Sequence, residues 1–175
     1  MKKIFSALLL FSSLLLVANN PKPVKIKWIS FEEAITLNKT NPKPILIDVY
    51  TDWCGWCKKM DQATYGHDKI AAYINKNYYA VKFNAEQRET LTYKGETFNY
   101  INNGRNGVHE LAYVLLKGKL AYPATVFLDK ENNYVEAVPG YLKPTQMEKI
   151  ITFMAQETYK NSDWETFEKQ FKTQL

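Results

Sequence analysis

The two cysteines of the chain, Cys54 and Cys57, stand in the run Asp52-Trp53-Cys54-Gly55-Trp56-Cys57-Lys58. This run follows an apolar stretch of strand character and opens a stretch of helical character. The first thiol is therefore expected among free backbone N–H groups at the positive end of a helix dipole. Such a setting favours the thiolate, the attacking species in disulfide exchange, and a second thiol one turn on can resolve a mixed disulfide. The demand is modest, since moving a thiol pKa from about 8.5 to about 7 takes roughly 2 kcal/mol. Two blander uses compete. A structural disulfide closing so short a loop stabilises by only about 2 kcal/mol, little for a chain of 175 residues. A zinc site would have to recruit His67 and His109 alongside Cys54 and Cys57, and the two histidines lie far apart rather than at ligand spacing. Redox chemistry, without metal or cofactor, is the expectation.

The elements that must hold this pair can be read from apolar spacing and turn residues. Val24–Trp28 alternates apolar and polar side chains, as a half-buried strand does. Ser30 with Glu33 makes a capping box for a helix to about Asn38, which Asn41-Pro42-Lys43-Pro44 ends. Ile45–Tyr50 is near-continuously apolar, as expected of a strand covered on both faces. Helices are expected from Cys54 to about Thr64 and from Asp68 to Asn77, with a strand at Tyr79–Phe83. Ala124–Leu128 and Tyr134–Val138 flank the turn Asp129–Asn133 as a hairpin, and Pro144 opens a helix with Met147, Ile150, Ile151 and Met154 on one face. A terminal helix at about 162–173 presents Trp164, Phe167 and Phe171. This order predicts an α/β fold, a mixed sheet with helices on both faces.

Composition bounds the rest. At 46% hydrophobic and 14% aromatic residues the chain is neither disordered nor collagen-like, and one domain can bury its own core. Its +5 charge is scattered rather than gathered into a basic run, so nucleic acid is not an expected partner. Lys2 and Lys3 precede an apolar stretch from Ile4 to Ala18, the pattern of a secretory signal peptide, followed by a short linker at 19–23. The stretch is shorter than the ~20 apolar residues a spanning helix needs, although an uncleaved tether is the competing reading. Cleavage after Ala18 would remove two lysines and no acid, and would leave a domain at 24–175 in a compartment where disulfides persist.

The stretch Ile45 through Lys58, with an Asp six residues before the first Cys, resembles the thioredoxin superfamily. The likeness extends through Val81–Asn84 and Tyr122–Asp129 to Gly140-Tyr141, and so covers most of the chain from the linker to about Gln156. The start Asp-Trp-Cys-x-x-Cys-Lys-Lys-Met is similar to the envelope branch that includes the soluble domain of the bacterial transmembrane thiol-disulfide interchange protein. The resemblance implies a thioredoxin fold with Cys54 as the exposed nucleophile and Cys57 as the covered resolving cysteine. It implies that Asp48 is the buried acid accepting the Cys57 proton, with Lys82 as its neighbour, although a strand-end Asp and a surface Lys are the plain alternatives. Pro123 is implied to be the cis-proline beside the disulfide, where an ordinary edge proline is the alternative. Trp53, Gly55, Trp56 and Tyr122 join it on the substrate-contacting surface, unless Trp53 is simply core.

Two departures limit the carry-over. Trp56 replaces the proline common between the cysteines, and the segment from Glu86 to Gly107 is longer than a minimal thioredoxin has there. With Tyr93, Phe98, Tyr100 and Arg105, that segment reads equally as a substrate-facing loop or a surface excursion. The expected function is that of an exported thiol-disulfide oxidoreductase of the periplasm or envelope, a monomer that keeps selected exported proteins or apocytochrome thiols reduced and is recharged by a membrane electron donor. An oxidase or isomerase is the alternative within the class. Outside it stands a binding module that uses the fold without turnover.

Overall fold

The computed structural model describes residues 22–102, 104 and 107–175. The leader expected at 1–18, most of the linker and Arg105 lie outside the described residues. Five strands form the central sheet: β1 (Trp28–Ile29), β2 (Ile45–Tyr50), β3 (Tyr79–Asn84), β8 (Ala124–Leu128) and β9 (Tyr134–Pro139), in the spatial order β1-β3-β2-β8-β9. β1, β3 and β2 run parallel, whereas β8 is antiparallel to β2 and β9 to β8, so the sheet is mixed.

Alternation along β2 sorts the core into two layers. Ile45, Ile47 and Val49 face one side, where α1 (Phe31–Asn38) and α4 (Glu110–Leu115) bring Phe31, Ala34, Leu111, Ala112 and Leu115. Leu46, with Ala80 and Phe127 of the neighbouring strands, faces the other, against α2 (Gly55–Met60), α3 (Asp68–Asn77) and α5 (Pro144–Ala155). Register then fixes one polar position on this second face: Asp48 pairs with Lys82 of β3 on one side and Thr125 of β8 on the other.

Three sequence expectations need correction. The strand expected at Val24–Trp28 shrinks to β1, because α3 side chains take the backbone groups a neighbouring strand would have used. The Val24 and Lys27 N–H groups donate to Asp68 Oδ1 at 2.9 Å and Asn75 Oδ1 at 2.8 Å, while Lys25 O accepts from Asn75 Nδ2 at 2.9 Å. The helix expected from Cys54 to Thr64 is α-helical only to Met60, and Asp61–Tyr65 forms a π-helical turn. No element is expected from the sequence between Phe83 and Ala124. The structure has two hairpins there, β4 (Leu91–Tyr93) with β5 (Glu96–Phe98) and β6 (Tyr100–Ile101) with β7 (Val108–His109), and then α4. The helix expected at about 162–173 is α6 (Trp164–Gln170), capped by Asp163, whose side chain accepts from the Thr166 N–H at 2.7 Å.

The hairpins line the first core layer. Leu91 and Phe98 are buried with Phe31 and Leu111, and the Tyr93 ring meets Phe31 edge-on at 5.3 Å. Gly107 is required by close approach, since a Cβ there would lie 2.2 Å from the Tyr100 ring. Because Leu91 is fully buried, Leu91→Ala is expected to lose ~3 kcal/mol of stability in urea unfolding, while Thr92→Ala on the exposed face of the same strand changes it by less than ~0.5 kcal/mol.

Candidate active site

Cys54 caps α2. Its backbone is extended (φ −73°, ψ 101°), its N–H donates to Thr51 O at 3.1 Å, and its Sγ accepts the Cys57 N–H at 3.1 Å. The two sulfurs are joined as a disulfide with the Cα atoms 5.3 Å apart, so this is the oxidised form. The expected contrast between an exposed Cys54 and a covered Cys57 is absent in this form, in which the residues are 4% and 3% exposed. What is exposed is their neighbours: Trp53 at 63% and Trp56 at 57% stand in solvent, and neither is core. Gly55 lies between them with open space where a side chain would be.

Each tryptophan is held by partners outside the cysteine loop. The Trp53 ring meets Tyr122 edge-on at 6.0 Å, and its Nε1–H donates to Glu86 Oε1 at 2.9 Å. Asn84 fixes that carboxylate's own backbone and the loop together, since its Oδ1 accepts the Glu86 N–H at 2.9 Å and its Nδ2 donates to Asp52 Oδ2 at 3.2 Å. Trp56 lies against Tyr141 at 5.5 Å, with the Lys59 ammonium 4.8 Å over the first ring and 5.6 Å over the second. Between the two pairs, a cleft of about 330 Å³ is lined by Trp56, Tyr122, Pro123, Gly140 and Tyr141. The Tyr122–Pro123 peptide is cis, as the resemblance implies. Burial, with the Glu86 carboxylate adding to it, pushes the Tyr122 phenol up to about 12.

Asp48 is 1% exposed and lies mid-strand, not at a strand end. Its Oδ2 accepts from Lys82 Nζ at 2.5 Å, and its Oδ1, also buried, makes no hydrogen bond. Lys82 is no free surface lysine. Its ammonium also bonds Asp61 and lies 4.9 Å from the Tyr50 ring, 5.2 Å from Trp28 and 5.7 Å from Tyr65. Burial raises the Asp48 pKa from 3.8 to about 6 against the opposing pull of Lys82. Burial works against the ammonium too, but the two carboxylates outweigh it and the Lys82 pKa is raised. Tyr65, whose hydroxyl lies 3.1 Å from Thr125 Oγ1, is held well above its usual value by burial and then by the Asp48 charge.

Of the two histidines in the zinc alternative, His109 is already committed. His109 caps α4 through Nδ1, which accepts the Leu111 N–H at 3.2 Å, and its Nε2 lies 2.9 Å from Glu89 O, so both ring nitrogens are committed. Glu86, Lys59, Asp61 and Tyr141 were not singled out from the sequence. Asp61 and Lys59 carry a readable signal, being one turn or less beyond Cys57 on the helix that Cys54 opens. Glu86 and Tyr141 reach the site only through the fold.

A family model named Thioredox_DsbH, with the description "Protein of unknown function, DUF255", matches residues 7–174. The thiol:disulfide interchange protein DsbD of Yersinia pestis is 25% identical over 158 residues, which are 79% of this chain and 23% of that protein. The chain spans less than a quarter of the length of the curated relatives it matches. Among solved structures, a DsbH oxidoreductase superposes with a TM-score of 0.50 at 21% identity, over 73% of this chain and 83% of the other. A thioredoxin-fold protein from Helicobacter pylori superposes with a TM-score of 0.55 at 20% identity, over 74% and 80%. These likenesses show the thioredoxin fold.

Proposed function

The chain belongs to the Thioredox_DsbH family, and from that premise we propose that it is a thiol-disulfide oxidoreductase working as a reductase of exported proteins. The observation that carries the reading is the placement of Cys54 at the cap of α2, with Cys57 one turn on. Cys54 as thiolate attacks one sulfur of a substrate disulfide, forming a mixed disulfide and releasing the other substrate sulfur as a thiolate that picks up a proton. Cys57 then gives its proton to Asp48 and attacks Cys54 Sγ. The mixed disulfide breaks, the substrate leaves fully reduced, and the two electrons it gained leave a Cys54–Cys57 disulfide behind. A buried carboxyl titrating near 6 is well matched to that proton transfer. The aromatic pairs and the cleft over Pro123 would seat the substrate segment next to the sulfurs.

The cycle closes when a dithiol donor reduces Cys54–Cys57 again, and a membrane protein is the proposed donor, by analogy with the interchange activity named for the Yersinia pestis relative. The basic and apolar pattern of residues 1–18 supports export, and the proposed working form is a monomeric domain at 24–175 in the periplasm or envelope. Insulin reduction with dithiothreitol tests the reading. The protein is expected to shorten the lag before B-chain precipitation, and Cys54→Ser to return it to the dithiothreitol background. A wild-type trace equal to that background would remove the reductase, as would a reduction potential near the roughly −120 mV of a strong oxidant rather than about −270 mV.

A further inference from the structure

The Asp48–Lys82 pair has a third member. Asp61 opens the π-helical turn after α2 and holds the Lys82 ammonium with a carboxylate 40% exposed, where the Asp48 side chain is 2% exposed. A cleft of about 480 Å³, lined by Trp28, Asp61, Tyr65 and Lys82 and by the segment Pro23–Ile26, opens beside this cluster.

Counting charge decides what the cluster can do. An isolated Asp48–Lys82 pair is neutral, and protonating its carboxylate would leave a half-buried ammonium uncompensated. With Asp61 the cluster holds one negative charge in excess, so it can take up one proton and become neutral. That proton belongs on Asp48, because burial penalises the charged form there, whereas the Asp61 carboxylate is 40% exposed to water. Asp48 Oδ1, buried and without a partner, is the oxygen left to receive it.

We propose that Asp61 is a positioning residue for proton transfer: by sharing Lys82 it leaves Asp48 free to accept the Cys57 proton. The inference rests on the thiol-disulfide reading above. The titratable groups coupled to Asp48 are Lys82 from β3, Asp61 and Tyr65 from the π-helical turn and Tyr50 from its own strand. Cys57 of α2, bridged to Cys54 here, is the thiol that the proposed mechanism deprotonates once reduced. Both tyrosines are raised, so the working charges are those of Lys82 and the two carboxylates. Lys82 lowers the Asp48 pKa and Asp61 raises it, as the charge count requires.

Asp61→Asn tests this with two readings: the pH titration of the Asp48 carboxyl carbon by NMR in the oxidised protein, and the pH–rate profile of insulin reduction. The Asp48 midpoint, about 6 in the parent, is expected to fall by roughly one unit. The acid limb of the rate profile should move with it, and the plateau should drop about threefold for a Brønsted coefficient near one half. Asp61→Glu should restore both, and Asp61→Ser should reproduce the shift should the Asn variant fold poorly. In an Asp48→Asn background the loss of Asp61 should leave the profile in place. An unmoved Asp48 midpoint, or a rate shift that persists without Asp48, would overturn the proposal. A parent lacking exchange activity would overturn the underlying reading instead, and is told apart because the titration needs no turnover.

Discussion

The Cys57→Ser variant, expressed with residues 1–18 in place, is expected to accumulate covalent complexes with other proteins. Cys54 keeps its place at the head of α2 and still attacks, but the only thiol placed to displace the captured substrate is gone. Mixed disulfides that resolve within seconds in the parent should persist toward hours, until an outside thiol arrives. Non-reducing electrophoresis should show adducts that collapse with reductant and disappear when Cys54 is also changed to Ser. Mass spectrometry of the trapped partners names the substrates and checks export at the same time. Adducts drawn from cytoplasmic proteins alone would contradict the leader reading. A folded variant with reactive Cys54 and no adducts at all would point to a binding module without turnover.

Asp48→Asn is expected to slow resolution and to raise stability together, a combination that a merely structural residue would not give. Without the carboxylate, Cys57 must ionise unaided, so at pH 6 turnover should fall by about 10²-fold and the gap should narrow toward pH 8. The sign on stability follows from the raised pKa. The folded protein holds the Asp48 proton more tightly than the unfolded chain, so this group costs nothing below about pH 4 and becomes destabilising as pH climbs from 3.8 through about 6. Above that window the cost is about 3 kcal/mol, and Asn escapes it. Lys82 stays charged throughout and keeps Asp61 as a partner. Urea unfolding of the oxidised proteins should therefore show the variant's advantage growing between pH 4 and pH 6. Equal turnover from pH 6 to pH 8 would remove Asp48 as the base.

Much of this site was legible because its signals are local. The apolar run Ile45–Tyr50, the cysteine spacing and the Ser30 cap belong to neighbouring residues, and each has its structural counterpart in β2, the Cys54–Cys57 bridge and the Ser30 side chain accepting from the Glu33 N–H at 3.1 Å. Asp48, Lys82 and Pro123 came only with the family resemblance, since nothing nearby in sequence says that a strand aspartate is buried or that a proline is cis. What was missed depends on distant contacts. Val24–Lys27 alternates like a strand, but Asp68 and Asn75 of α3 capture its backbone. The π-helical turn breaks a run that reads as continuous helix, and it is this turn that presents Asp61 to Lys82 of β3 and Tyr65 to Thr125 of β8. Leu91–Phe98 reads as a polar loop because its buried residues are few, yet Leu91 and Phe98 suffice to anchor a hairpin. Glu86 lies outside every local pattern and matters only because β3 ends beside Trp53.

The division of the core into two layers has a consequence for how such a chain can vary. α2, which carries Cys57, buries Met60 in the layer with α3 and α5, whereas both hairpins and α4 are built on the opposite side of the sheet. Substitutions in the two layers share few partners, so their effects on folding should add rather than interact. Exposed positions of the two hairpins, such as Thr92 and Lys94, can therefore change with Leu91 and Phe98 kept while the redox helix keeps its seating. The Glu86–Trp53 hydrogen bond is the tether between them, and it marks where such drift would first be felt by a substrate.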